Sequence, residues 1–131
     1  MSENKKILII DDDPDDVELV KMALKDRPYD IICAWNGRHG VEKARSEKPD
    51  AIILDIMMPE EDGFKACKKI KSDPALKDIP VLVLSAIGEH FSDTTYARSE
   101  GLSLESEDFI EKPVDGEYLV KRLDKFLKNK G

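Results

Sequence analysis

Ile7-Leu8-Ile9-Ile10 runs without a break into Asp11-Asp12-Asp13-Pro14. A strand with one wet face would alternate apolar and polar residues. An unbroken apolar run fits a strand buried on both faces, as in a parallel sheet. The Asp13-Pro14 pair that follows reads as a helix N-cap and a first-turn proline, whose missing N–H is no loss at that position. The junction is therefore the opening of a β-α unit, a buried strand that passes directly into a helix.

The same grammar repeats along the chain. Ile31–Trp35, Ala51–Leu54, Val81–Leu84 and Phe109–Ile110 are further short runs of Ile, Val, Leu and aromatic residues. Between them lie residues at helical spacing: Val17, Val20 and Leu24; Phe64, Cys67 and Ile70; and the stripe Leu119, Leu123, Phe126 and Leu127. Gly37, Gly40, Val41 and Ala44 form a small-residue face suited to close packing on a sheet. Pro49, Pro80 and Pro113 fall between elements, and Asp115 stands where it can cap the last helix. Five β-α units in order predict an α/β fold, a doubly wound five-stranded parallel sheet with helices on both faces. The 131 residues fit a single domain, 1–131, with no room for an output domain. The segment from Ile87 to Glu107 carries the poorest helical stripe.

Composition sets outer bounds. The chain is 40% hydrophobic and 37% charged, in the range of a globular protein. No apolar run is long enough to span a membrane, and no signal-peptide pattern precedes Ile7, so a cytoplasmic location away from membranes is expected. The net charge of −7 argues against direct nucleic-acid binding. The basic residues Lys121, Arg122, Lys125, Lys128 and Lys130 read as the solvent face of the last helix. Cys33 and Cys67 lie within apolar stretches, with no pattern for a metal site or a disulfide, and read as small hydrophobes.

In an open parallel sheet, chemistry gathers beyond the carboxyl ends of the strands. Asp11, Asp12 and Asp13 follow the first run, Asp55 the third, Ser85 the fourth, and Glu111 and Lys112 the fifth. Gathered carboxylates repel one another unless a cation joins them, and an oxygen-rich acidic cluster suits Mg²⁺. Ser85 could donate to a phosphoryl oxygen, and Lys112 could balance its charge. The convergence points to phosphoryl chemistry at a carboxylate with a metal. Duller readings compete. Asp13, Asp15 and Asp16 read as helix N-terminal acids, and a strand-end serine or a lone lysine is ordinarily a turn residue or surface charge. Asp55, directly after Ala51-Ile52-Ile53-Leu54, is hardest to account for as a solvated loop residue.

These pieces resemble the receiver domains of response regulators in two-component signalling. The likeness rests on residues 7–16 (ILIIDDDPDD), 49–64 (PDAIILDIMMPEEDGF), 79–86 (IPVLVLSA) and 108–113 (DFIEKP). It implies a flavodoxin-like sheet of strand order 2-1-3-4-5, with Asp55 accepting a phosphoryl group from a histidine kinase or a histidine phosphotransfer protein. Asp12 would bind Mg²⁺ directly, Asp11 through water, and the backbone carbonyl of Met57 would be a further ligand; Mn²⁺ would serve in its place. Ser85 matches the Ser/Thr switch position and Phe109 the aromatic one. Lys112 would contact the acyl phosphate, aimed by a cis bond to Pro113. The signal would leave through the face of the helix expected over 88–100, the fifth strand and the last helix, by contact with another protein. The resemblance implies a phosphoacceptor, not an enzyme with turnover, as a monomer or weak homodimer.

Two departures stand out. The chain between Ser85 and Lys112 is longer than the family pattern, around Leu102–Ser106, and a phenylalanine stands at position 109 where tyrosine is commoner. Met57 and Ile87 are apolar at positions that tune phosphoryl lifetime in the family, so slow loss of phosphate is expected. A decay rate untouched by Met57→Glu or Ile87→Glu would count against that. Rival readings are a degenerate receiver acting as a non-phosphorylated binding module, and an aspartyl-nucleophile phosphohydrolase built on Asp11-Asp12-Asp13, for which the expected threonine is missing. A flavodoxin-like nucleotide binder fails for want of a glycine-rich loop after the first strand.

Overall fold

The computed structural model describes residues 4–55, 62–85, 108–111 and 115–128. Its strands are β1 (Lys5–Ile10), β2 (Tyr29–Ala34), β3 (Ala51–Asp55), β4 (Val81–Ser85) and β5 (Asp108–Glu111). Its helices, numbered consecutively, are α1 (Pro14–Leu24), α2 (Gly37–Glu47), α3 (Asp62–Ser72) and α4, the C-terminal helix (Gly116–Lys128). The strands form one sheet in the order β2-β1-β3-β4-β5, every pair parallel. The parallel α/β architecture expected from the alternating runs is met. The helix expected over 88–100 and the long loop around Leu102–Ser106 lie outside the described residues.

The period of two along each strand divides the interior into two cores. Leu8 and Ile10 of β1, Ile52 and Leu54 of β3, and Val81 and Val83 of β4 face Val41 and Ala44 of α2 and Ala66, Cys67 and Ile70 of α3. Ile7, Ile9, Ala51, Ile53, Leu82 and Leu84 face Val17, Val20 and Leu24 of α1 and Leu119, Leu123 and Leu127 of α4. The unbroken apolar runs of β1, β3 and β4 thus exist because each residue has a helix to meet on one face or the other. β2 differs. It is an edge strand, half-buried along most of its length, and it ends at Ala34, one residue short of the sequence expectation. Trp35 leaves the sheet and is 48% exposed, because Asn36 already caps α2 by accepting from the His39 N–H at 2.8 Å.

Local chemistry fixes the helix ends. Asp13 caps α1, its carboxylate accepting from the Asp15 N–H at 2.9 Å with Pro14 in the first turn. Asp115 caps α4 through the N–H groups of Glu117 and Tyr118, at 3.0 and 3.3 Å. At the other end of α3, Lys71 Nζ donates to the carbonyls of Lys77 and Ile79, which ties the helix to the approach of β4. Asp73, which accepts from the Ala75 N–H and from Arg45, is held below the usual carboxylate range first by that N–H and then by the guanidinium.

A Cβ built on Gly40 would lie 2.5 Å from Ile10 Cδ1, so only glycine lets α2 approach β1 this closely. On the opposite face, Asp124 of α4 accepts hydrogen bonds from the Tyr29 hydroxyl and from Arg27, which latches the last helix to the start of β2. Burial, and then the bond to Asp124, push the Tyr29 phenol up to about 12. Cys67 is buried, Cys33 is half-buried, and no disulfide links them. No described helix is long and apolar enough to cross a membrane.

Candidate phosphoacceptor site

The register of the sheet decides what meets at its carboxyl edge. Ile10 of β1 pairs with Leu54 of β3, so Asp11 and Asp55 are the next residues along two adjacent strands. The Asp11 N–H donates to the Ala34 carbonyl at 3.1 Å, which extends the pairing of β1 with β2 by one step and fixes the backbone where it leaves the sheet. Asp12 follows in the turn before Pro14.

Asp11 is 0% exposed and Asp55 3%, and they are the only buried polar or charged side chains among the described residues. Asp12 is exposed. One carboxylate oxygen from each of the three lies within 4.8 Å of the others, and among the described residues this is the one such group. Asp13, the fourth acid that sequence brought to this edge, does not join it. Its carboxylate is spent on the α1 cap, while its own N–H donates to Asp11 Oδ1 at 2.9 Å and helps hold that carboxylate in place.

Two buried carboxylates and a third at their rim are unfavourable as a bare set, since burial removes the water that would screen them. A hard divalent cation relieves this. Oxygen donors on adjacent strand ends fit Mg²⁺, which prefers one or two carboxylates with water and phosphate oxygens completing its shell. The donor set therefore fits the metal expected from sequence, with Asp11, Asp12 and Asp55 as the candidate ligands.

The remaining predicted residues divide into two groups. Ser85 closes β4, one residue beyond Leu84, the partner of Asp55, and it pairs with Glu111 of β5. Phe109 sits within β5 opposite Val83. For both, the backbone position alone is described. Met57, Lys112, Pro113 and Ile87 lie outside the described residues. Sequence reasoning missed Asn36 as the α2 cap and the Tyr29–Asp124 latch. Asn36 followed by two glycines within the next four residues was the available signal for the first; the second joins residues too far apart in sequence to be read from spacing.

A buried acidic cluster at the carboxyl edge of a parallel, doubly wound sheet defines a class of phosphoryl-handling α/β proteins. The chain matches the response regulator receiver domain over residues 7–124, and it belongs to that family. It is 35% identical over 125 residues to the alkaline phosphatase synthesis transcriptional regulatory protein PhoP of Bacillus subtilis, covering 95% of this chain and 49% of that one. It is 33% identical over 122 residues to protein PilH of Pseudomonas aeruginosa, covering 93% and 97%. The receiver domain of the Francisella response regulator 1452 superposes with a TM-score of 0.79 at 28% identity, covering 98% of this chain and all of that one. The chain spans about half the length, or less, of the first curated relatives it matches. Phosphoryl acceptance is general in the family, receivers take the group from histidine kinases or phosphotransfer proteins, and they bind Mg²⁺ at an acidic pocket.

Proposed function

We propose that Asp55 is the phosphoacceptor of this chain. The observation that carries the reading is the burial of Asp55 beside Asp11 at adjacent strand ends, with Asp12 at the rim. A carboxylate 3% exposed at the end of an apolar strand is costly to desolvate. Its value lies in presenting one oxygen to an incoming group from a fixed direction.

Asp11, Asp12 and Asp55, with the backbone carbonyl of Met57, would hold Mg²⁺, which when bound offsets the charge of the carboxylates and of the phosphoryl group. In the transfer, an oxygen of Asp55 bonds to phosphorus as the phosphorus–nitrogen bond to the donor imidazole breaks, and that electron pair leaves on nitrogen. The product is an acyl phosphate. The rigidity of the site comes from the chain itself: Asp13 N–H orients Asp11, and β3 fixes Asp55 between β1 and β4. Lys112 follows Glu111, the strand partner of Ser85, and this register supports roles for Lys112 and Ser85 at the phosphoryl oxygens. Phe109, on the same strand, would follow Ser85 when it turns toward the new charge, with Pro113 aiming Lys112. The altered face of β5 and its neighbouring helices would then be read by another protein.

The test is intact mass after incubation with acetyl phosphate and Mg²⁺. Wild type should gain one phosphoryl group; Asp55→Asn, and wild type with EDTA, should gain none. Acceptance by Asp55→Asn would move the acceptor elsewhere. No gain by wild type, together with no beryllofluoride binding, would make the chain a degenerate receiver.

A further inference from the structure

The chain is acidic overall, yet its charge is sorted by face. From Gly37 to Lys48 and from Asp62 to Ser72, that is α2 with its C-cap and α3, there are eight Lys and Arg residues against three Asp and Glu, in a protein of net charge −7. Some of these cations have structural duties. Arg38 pairs with Glu42, Arg45 with Asp73, and Lys71 holds the two carbonyls beyond α3. Lys65, Lys68 and Lys69 do not. All three are exposed, they share one side of α3 at spacings of three and four, and they form no ion pair among the described residues. Nothing in the described fold calls for them.

Beside this row runs a groove between α2 and α3 of about 540 Å³, lined by Arg38, Arg45 and Lys69 and by the apolar side chains of Val41 and Pro74. We propose that the α2–α3 face docks an acidic segment of a partner protein, its carboxylates against Lys65, Lys68 and Lys69 and an apolar side chain in the groove. The choice between acidic polymers follows from the same residues. Glu42 and Asp73 also border the groove and would repel a uniform row of phosphates. None of the large exposed hydrophobics, Leu19, Met22, Trp35 and Tyr118, lies on α2 or α3, so among the described residues the face offers no large exposed hydrophobic ring on which a base could stack. A protein segment can interleave carboxylates with neutral residues and so match a face of mixed charge. Asp11, Asp12 and Asp55 do not line this groove, and docking there does not depend on phosphorylation of Asp55.

The proposal is tested by fluorescence anisotropy with a fluorescein-labelled peptide in which glutamate alternates with leucine and alanine, and with labelled single-stranded DNA as comparator. Wild type should bind the peptide more tightly than the DNA, with affinity falling as salt rises. The Lys65→Glu/Lys68→Glu/Lys69→Glu variant should bind the peptide about ten-fold more weakly or worse, while a charge-matched Lys25→Glu/Lys121→Glu/Lys125→Glu variant stays within about two-fold of wild type. Circular dichroism melts and acetyl phosphate labelling check that both variants fold and keep the Asp55 site. No binding by wild type at any salt, equal weakening in the two variants, or tighter binding to DNA would each overturn the proposal. So would salt-sensitive self-association by sedimentation in place of peptide binding, which would assign the face to a second copy's acidic surface.

Discussion

At the scale of single residues, the structure gathers Asp11, Asp12 and Asp55 at one strand edge and joins Tyr29 to Asp124 across the opposite face. Asp11, Asp12 and Asp55 stood out because a carboxylate directly after a buried apolar run is costly to desolvate and so needs a task that offsets the cost. Asp13 read in the sequence as the N-cap of α1, and the structure bears this out, its carboxylate accepting from the Asp15 N–H. Tyr29 and Asp124 could not be connected from sequence, since their contact exists only once α4 lies along α1. That contact has a pH signature. The Tyr29 phenol rises from 10.0 to about 12 on folding, so the unfolded chain loses this proton first as pH rises. The stability the half-buried phenol confers is fully present below 10.0 and is lost as pH climbs through about 12. Urea unfolding followed across that window should show wild type weakening more steeply than Tyr29→Phe. Parallel curves would mean that the phenol keeps its ordinary affinity for protons in the folded chain.

At the scale of elements, the five apolar runs marked all five strands, with errors of one or two residues at the ends. The errors have physical causes. β1 begins at Lys5, where pairing with β2 continues although the side chains are polar. β2 stops before Trp35 because the Asn36 cap turns the backbone toward α2. The small-residue face of α2 was legible as a close-packing surface, and Gly40 is where the packing is tightest. In an exposed helix interior, Gly→Ala stabilises by about 1 kcal/mol. Here the new methyl would meet Ile10, a fully buried β-branched side chain with little rotamer freedom. Gly40→Ala is expected to destabilise the fold by about 1–3 kcal/mol, read as a fall in the denaturation midpoint. A rise would mean that Ile10 can retreat.

At the scale of the whole molecule, fold class was legible because β-α alternation and buried strands leave few alternative arrangements, whereas the sorting of charge between faces was not. Net charge averages over the surface, and only the pairing of α2 with α3 brings their lysines and arginines onto one side. The division of the interior by the sheet has a consequence for biosynthesis. Among the described residues, every member of the core beneath α2 and α3 comes from Leu8 to Val83, so that set can gather once β4 has left the ribosome. The core beneath α1 waits for Leu119, Leu123 and Leu127. A nascent chain arrested between them carries one closed layer and one open apolar layer formed by Ile7, Ile9, Val17, Val20 and Ile53. Release of a chain stopped at Val114 should therefore give a species that binds a hydrophobic dye and recruits chaperones, while the full chain does neither. Docking of α4 is thus what closes the second layer and removes that apolar surface from quality control.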